Sequence, residues 1–286
     1  MLRLIVICLT LIGYIGAHPI LKDLLSEDDP RYDSFSYVLK WADENLTPKI
    51  NSSSTPIRSV IFETGTSRDG KANCRGDGCS SIIFTKYIRS LASVGADAQL
   101  DFYSVDIDAA AIYKSRQAAG PCTPNCNFIV NDSIAALKEF PHKIDILYLD
   151  SYDFDSYNPG PSQKHHLGEI EVGILKIQPK SLILLDDCRL IHGGKCALVE
   201  HFLLTQHFVQ LFDGYQKIFR PPLQSDEIAQ SVIIQQPKVA SSDIPQYKHR
   251  KSQLHSFADF YKQLLTITDP EMKEHAKRNY ERSLLN

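Results

Sequence analysis

Acidic side chains follow four short apolar runs of the sequence, each at the point where its run ends. Asp106 ends one run, Asp132 follows the next, Asp150 ends a third, and Asp186-Asp187 follow a fourth. If these runs are parallel strands, their carboxyl ends meet at one edge of a sheet, where open α/β proteins bind ligands. The sequence therefore predicts that acids far apart in the chain surround a single crevice.

The first two strand ends have the chemistry of nucleoside binding. In the segment Glu63-Thr-Gly65-Thr66, the glycine allows a tight turn and a close approach of backbone to ligand. An acid in the position of Asp106 can accept both hydroxyls of a ribose. Asp132 has two interpretations, because it can bind an adenine amine or cap the next helix. The glycines do not form GxGxxG, which disfavours a dinucleotide.

The elements that must position these residues alternate between short apolar runs and amphipathic segments. The predicted strands are Ser59–Phe62, Leu100–Val105, Phe128–Val130, Ile144–Leu149, Leu182–Leu185, Phe208–Phe212 and Ser231–Gln235. The predicted helices are Asp33–Glu44, Ser80–Ser93, Ala109–Gln117, Ile134–Phe140, Gln163–Lys176, Lys195–Thr205, Phe257–Leu265 and Pro270–Leu284. This alternation indicates an α/β fold with βαβ crossovers and helices on both faces of a parallel sheet.

The series of acids resembles the class I S-adenosylmethionine (SAM)-dependent methyltransferases, most closely the small-molecule O-methyltransferases of the macrocin and catechol type. The resemblance covers roughly residues 57 to 220. It implies a Rossmann-like, doubly wound, seven-stranded sheet, mostly parallel, whose last strand is antiparallel. It also implies SAM as the cofactor, bound by Glu63, Gly65, Thr66, Ser67, Asp106, Ile107, Asp132 and Ser133.

The catechol type also holds a magnesium ion with carboxylates after strands four and five. The resemblance places Asp150, Asp186 and Asp187 at those positions. Mg²⁺ prefers oxygen ligands, and it would lower the pKa of a substrate hydroxyl. However, Cys188 stands where the catechol type has an asparagine, so the metal is left open.

Catalysis would need a group that takes a proton from the acceptor. The strand-four loop lacks the catalytic lysine of the catechol type, and the predicted catalytic residues are Asp150, Tyr152 and His166. A histidine of near-neutral pKa suits proton removal from a hydroxyl. The alternative for His165-His166 is a pair of solvent-facing imidazoles at the start of a helix.

Residues 1–17 are interpreted as a signal peptide, with Arg3, an apolar run over residues 4–15 and a small Gly16-Ala17. The alternative is an uncleaved signal-anchor. Three further segments are predicted: an N-terminal helical arm (18–56), a methyltransferase-like α/β domain (57–237) and a C-terminal helical tail (238–286). The expected location is the secretory pathway, with no membrane association after signal removal.

Six cysteines remain after the leader, and they fall in three local pairs. The simplest pairing in an oxidising compartment is 74–79, 122–126 and 188–196. The rival is a zinc site, which the spacings disfavour. Formal glycosylation sequons begin at Asn45, Asn51 and Asn131.

The predicted function is SAM-dependent O-methylation of a hydroxyl on a small molecule or glycan, with Mg²⁺ as an open possibility. One alternative is a secreted, catalytically inactive methyltransferase-like binding protein. A weaker one is an NAD-dependent dehydrogenase, which the absence of GxGxxG disfavours. A net charge of -3 gives no field for attracting nucleic acid.

Overall fold

The computed structural model describes residues 18–46, 58–93, 100–122 and 124–223. The predicted signal peptide (1–17), the Asn51 sequon, the strand Ser231–Gln235 and the C-terminal tail (238–286) lie outside these ranges. Within them, no helix is long and apolar enough to cross a membrane.

The described chain forms one seven-stranded sheet. Its strands are β1 (Ser59–Thr64), β2 (Leu100–Asp106), β3 (Cys126–Val130), β4 (Ile144–Leu149), β5 (Ile177–Leu185), β6 (Val209–Asp213) and β7 (Lys217–Arg220). Their order across the sheet is β3-β2-β1-β4-β5-β7-β6. All neighbours are parallel except β7, which runs antiparallel to both β5 and β6. This arrangement confirms the predicted fold class, although β7 lies at residues 217–220, where no strand was predicted.

Helices alternate with the strands. They are α1 (Tyr32–Asn45), α2 (Cys74–Asp77, a single turn), α3 (Ser80–Ser93), α4 (Ala109–Ala119), α5 (Ser133–Glu139), α6 (Gly160–Gly173) and α7 (Ala197–Thr205). Helix α6 begins at Gly160, earlier than the predicted Gln163, because Pro161 is tolerated in a first turn, where backbone N–H groups have no partner to lose.

The core has two layers, one on each face of the sheet. The central strands β1 and β4 are buried at every residue, as parallel strands are when helices cover both faces. On one face α1 and α3 pack on the sheet, and the ring of Phe35 lies 5.9 Å from that of Phe84 and 5.8 Å from that of Tyr148. On the other face α5, α6 and α7 contribute Leu137, Ile170 and Val199. Helix α1 therefore shares the core of the sheet.

Strand register brings the predicted site segments to one edge. Thr64 pairs with Val105 on one side and with Leu149 on the other, and Leu149 pairs with Leu185. The residues that follow these strand ends are consequently neighbours. The backbone ladder continues past the strands, since the Asp150 N–H donates to the Thr64 carbonyl at 2.9 Å.

Three disulfides close local loops. The bonded pairs are Cys74–Cys79, Cys122–Cys126 and Cys188–Cys196, which are the pairs that the spacing predicted. The last pair ties the chain after β5 to the start of α7.

Truncation of the aromatic ring that joins α1 to the sheet should destabilise the whole domain. We expect Phe35→Ala to lower the free energy of unfolding by about 3–5 kcal/mol, the usual cost of emptying a buried phenylalanine site. Denaturant unfolding followed by circular dichroism measures it. Tyr157, 98% exposed, gives a matched control, since Tyr157→Ala should change stability by no more than about 0.5 kcal/mol. Equal effects of the two substitutions would contradict the packing of α1 on the sheet.

Candidate functional site

A cavity of about 870 Å³ lies at the carboxyl ends of the strands. Of the predicted site residues, those that line it are Gly65, Thr66, Asp106, Ile107, Asp132, Ser133, Asp150, Tyr152 and Asp187. Four others do not reach its wall: Glu63, Ser67, His166 and Asp186. The structure therefore places the predicted strand-end residues round one crevice. The side chains of these four residues lie beneath its surface.

Gly65 allows the β1 loop to lie directly against the end of β4. Its φ is +78°, a left-handed conformation that side chains with a Cβ rarely adopt. A Cβ at this position would lie 2.6 Å from the carbonyl oxygen of Asp150. The glycine is thus required by the close approach of two backbone segments, and it leaves the cavity open at this point.

Asp106 stands at the end of β2 with both oxygens held by the backbone. Its Oδ2 accepts the N–H of Thr66 at 3.1 Å, and its Oδ1 accepts that of Asp108 at 2.8 Å. A carboxylate offers about four acceptor positions, so both oxygens retain capacity for hydroxyl donors. Beside it Ile107 presents an apolar side chain that is 76% exposed. This pair offers hydrogen-bond acceptors and an apolar surface together.

Asp132 caps α5, since its Oδ1 accepts the N–H of Ala135 at 2.9 Å. The helix-cap interpretation is therefore what the contacts show, and an adenine contact stays a prediction. Ser133 hydrogen-bonds through Oγ to the Nε2 of His165 at 2.9 Å.

Glu63 was expected to line the methionine end of the cofactor, but its side chain is fully buried. The hydroxyls of Ser81 and Ser104 both donate to its Oε2, and Ser104 in turn contacts the hydroxyl of Thr66 on the cavity wall at 2.9 Å. Its Oε1 has no hydrogen-bond partner among the described residues. Ser67 is likewise buried, with its N–H donating to Ser81. Both residues therefore hold the β1 loop from beneath.

Burial gives the Glu63 carboxyl an unusual pKa. Loss of hydration raises it to about 8, against the opposing effect of the neighbouring hydroxyls of Ser104, Ser80 and Ser81. The side chain is therefore protonated in the folded protein at neutral pH.

A lysine from the loop before α7, which the sequence analysis did not single out, reaches the acids at the ends of β4 and β5. The ammonium of Lys195 donates to Asp150 Oδ1 at 2.8 Å, to the Asp150 carbonyl at 3.2 Å and contacts Asp187 Oδ2 at 3.1 Å. Its side chain is only 4% exposed. Burial lowers the pKa of Lys195, but the carboxylates of Asp150 and Asp187 outweigh that effect and raise it overall. Lys195 is therefore a fixed cation and cannot serve as a base.

A second cation reaches the same acids from the N-terminal segment. Arg31 Nε donates to both carboxylate oxygens of Asp186, at 3.1 and 2.8 Å, and its Nη2 donates to Asp187 Oδ1 at 3.2 Å. The guanidinium lies 4.6 Å from the ring centre of Tyr215, whose hydroxyl donates to Asp187. The Tyr148 hydroxyl donates to Asp186 as well.

These contacts correct the prediction that Asp150, Asp186 and Asp187 hold magnesium. Asp186 is fully buried behind Arg31, and Lys195 lies between the other two acids. The described residues contain no group of three or more side chains suited to a metal ion. The donor set does not fit Mg²⁺, because the positive charge is already supplied by side chains.

The loop before α7 explains why Lys195 returns to the acids. Gly194 has φ +57°, and a Cβ on it would lie 1.6 Å from the carbonyl oxygen of Asp187. The amide of Gln163 on α6 donates to the carbonyl of Gly194 at 2.8 Å, and the Cys188–Cys196 disulfide closes the loop. The adjacent glycines Gly193 and Gly194 and the cysteine pair Cys188 and Cys196 are visible in the sequence, whereas no local pattern marks Arg31.

Asp150, on the cavity wall, has a pKa near neutrality. Burial raises it to about 7, with Lys195 acting in the opposite direction and Asp186 and Asp187 adding to the rise. Asp187 behaves differently: burial raises its pKa, but Lys195, Tyr215 and Arg31 together bring it below the usual range. Asp150 is thus suited to proton transfer near neutral pH.

His166 was predicted to be catalytic, but it lies in the interior. It has no exposed surface, and its Nε2 is 2.7 Å from the carbonyl oxygen of Ser151. Burial lowers its pKa to about 4, with Glu169 opposing. His166 therefore positions the Ser151 backbone, and its side chain does not reach the cavity. Nor do the two imidazoles form a solvent-facing pair, since His165 lines the cavity.

The strand-four loop forms the outer wall of the cavity. Tyr152 is 52% exposed, adopts φ +57°, and its ring lies 5.3 Å from that of His165. Across the opening, Arg68 donates to Asp153 at 2.8 Å and lies near Asp77 of the Cys74–Cys79 loop. The disulfide loop therefore borders the cavity without filling it.

No protein-family model and no curated protein matches the chain. Among solved structures it is similar to the SAH-bound Podospora anserina methyltransferase PaMTH1, with 14% identity over 72% of this chain and 83% of that one and a TM-score of 0.44. The O-methyltransferase NovP is 11% identical over 65% of this chain and 81% of that one, with a TM-score of 0.41. The MycE methyltransferase with Mg, SAH and mycinamycin VI is 12% identical over 67% of this chain and 54% of that one, with a TM-score of 0.41. At these values the likeness does not establish a shared activity.

The buried Glu63 carboxyl should make stability depend on pH. The unfolded chain loses this proton near pH 4.3, whereas the folded protein keeps it up to about pH 8, so the unfolding free energy falls as pH rises between these values. We expect Glu63→Gln to remove that loss and to raise stability by roughly 2–4 kcal/mol at pH 7.5, with a smaller effect at pH 5. Urea unfolding at the two pH values measures the difference. A gain of the same size at both would contradict the assignment.

Proposed function

We propose that this protein is a SAM-dependent O-methyltransferase acting on a hydroxyl of a small molecule. The observation that carries the proposal is the cavity at the carboxyl ends of β1, β2 and β4, where Gly65, Asp106 and Asp150 meet on one wall. Open α/β sheets bind nucleoside ligands at this place, and the β2 acid is the group that takes ribose hydroxyls.

The residues present fit the adenosylmethionine cofactor. The tight turn at Gly65 keeps the cavity wall clear of side chain where the β1 loop passes Asp150. Asp106 offers acceptor capacity for the ribose hydroxyls, with Ile107 as an apolar surface beside it. Thr66 offers its hydroxyl and is supported from below by Ser104. These groups would hold the nucleoside and the adjoining chain of the cofactor.

When bound, the cofactor supplies a methyl group on a sulfonium, which leaves as a neutral thioether. The protein's part is to orient the acceptor and to remove its proton. Asp150 lies on the cavity wall, and its carboxylate takes the proton from the acceptor hydroxyl as the new oxygen–carbon bond forms. Lys195 and the Tyr148 hydroxyl, 3.2 Å from Asp150 Oδ2, hold that carboxylate in place.

The acceptor side of the cavity is formed by aromatic and apolar residues next to the charged cluster: Tyr152, Phe154, Leu190 and Tyr215. Such walls suit a hydroxylated small molecule or a sugar, whose apolar faces pack on aromatic rings while its hydroxyls find polar partners. The three disulfides support an oxidising location, in keeping with the proposed signal peptide and secretory pathway.

Binding of the cofactor is the first test. We expect isothermal titration calorimetry on the disulfide-intact protein to show one site for SAM and for S-adenosylhomocysteine. Asp106→Asn should weaken both by at least about tenfold, because it removes the negative charge opposite the ribose hydroxyls; tenfold corresponds to about 1.4 kcal/mol.

Glu139→Gln is the matched control, because it also removes one acidic charge, at an exposed position on α5 outside the cavity. Its affinity should equal that of the unmodified protein. Titration of NADH tests the dehydrogenase alternative. A folded protein that takes up neither SAM nor S-adenosylhomocysteine would overturn the proposal.

Turnover separates an enzyme from an inactive binding protein. With an acceptor found by screening hydroxylated small molecules against radiolabelled SAM, we expect Asp150→Asn to lower kcat by roughly 10²–10⁴, the usual contribution of a general base. The affinity for SAM should change little. If cofactor binds but no acceptor is methylated, the binding-protein alternative gains; if Asp150→Asn keeps full kcat, Asp150 is not the base.

A further inference from the structure

The ammonium of Lys195 has the surroundings of a bound metal ion. Three oxygens lie within 3.2 Å of its Nζ: one carboxylate oxygen from Asp150, one from Asp187 and the backbone carbonyl of Asp150. The side chain is 4% exposed, so water takes little part in this shell. Two carboxylates and a backbone carbonyl are the oxygen donors that Ca²⁺ and Mg²⁺ use in proteins.

A lysine ammonium suits this role because it is a compact point charge with three donors. Here each of the three oxygens accounts for one donor. The remaining acid of the cluster, Asp186, is paired with Arg31, which donates to both of its oxygens and also to Asp187. Two side-chain cations therefore offset two of the three carboxylate charges without any added ion.

The backbone that carries Lys195 is held in place on both sides. Gly194 packs on the carbonyl of Asp187 in a left-handed conformation open to few other residues, and Gln163 donates to the Gly194 carbonyl. The Lys195 N–H donates to the same Asp187 carbonyl at 3.2 Å. The next residue, Cys196, is bonded to Cys188. The ammonium is thus positioned by the fold and not by a mobile chain.

We propose that Lys195 takes the place of a divalent cation at the ends of β4 and β5, so that the site works without metal and becomes a cation site when the ammonium is removed. The cation-binding part stands on the Asp150, Asp187 and Lys195 contacts alone. Only its consequence for methyl transfer, that turnover needs no added divalent ion, rests on the proposed function.

The experiment compares two substitutions that remove the same charge. Lys195→Ala empties the space between the carboxylates, whereas Lys195→Met fills it with an apolar chain of similar length. Ca²⁺ and Mg²⁺ are titrated into each full-length, disulfide-intact protein by calorimetry, and the melting temperature is measured with and without each ion. Circular dichroism establishes that each variant is folded.

We expect Lys195→Ala to bind one divalent ion at least tenfold more tightly than the unmodified protein and to melt at a higher temperature in its presence. Lys195→Met and the unmodified protein should show neither effect. Adding Asp187→Asn to Lys195→Ala should abolish the gain, because it removes the charge of a proposed ligand.

Two results would overturn the proposal. One is a folded Lys195→Ala protein that takes up no cation. The other is an unmodified protein that binds one divalent ion as tightly as the alanine variant, or that loses stability when chelator is added. The chelator measurement uses the unmodified protein alone, so it tests the proposal even if the variant does not fold. SAM binding is measured in parallel without divalent ions, so failure of the proposed function is seen separately.

Discussion

The charged cluster at the ends of β4 and β5 is the constraint on which the rest of the site depends. Parallel pairing places Asp150 beside Asp186 and Asp187, and burial, complete at Asp186 and partial at the other two, removes most of the water that would otherwise separate their charges. Three neighbouring carboxylates in such surroundings destabilise a fold unless cations with good geometry accompany them. Arg31 and Lys195 meet that requirement, and each must be delivered by a segment outside the strands that carry the acids.

This requirement explains why two segments remote from the strand ends take part in the site. The chain before α1 brings in Arg31, and the packing of Phe35 in the core fixes that segment against the sheet. The disulfide-closed loop before α7 brings in Lys195. Packing, disulfide and ion pairs are therefore parts of one arrangement, in which loss of a cation would leave an unpaired buried charge.

The sequence could predict the parallel part of the sheet and the position of each strand-end residue, because strand ends are local features and parallel pairing is general. It did not predict the antiparallel β7 at residues 217–220. It could not predict which of the strand-end side chains are buried. Glu63 and Asp186 follow runs that are apolar at nearly every position, so no alternation shows which face each side chain takes. Only the structure shows that α3 covers Glu63 and that Arg31 covers Asp186. Lys195 and Arg31 were missed for a related reason: their partners are distant in sequence, and nothing in a local pattern links them.

The two ends of the cavity consequently differ in what they can bind. At the β2 end, the hydrogen bonds that Asp106 accepts from the described residues come from backbone N–H groups, so its negative charge is available to hydroxyl donors. At the β4 end, the charge of Asp150 is opposed by a lysine at 2.8 Å, so a cationic ligand gains little there. Burial nevertheless brings the pKa of Asp150 to about 7, which leaves it able to exchange a proton near neutrality. This asymmetry suits two ligands. One donates hydrogen bonds from its hydroxyl groups to Asp106, and the other is neutral and gives up a hydroxyl proton to Asp150.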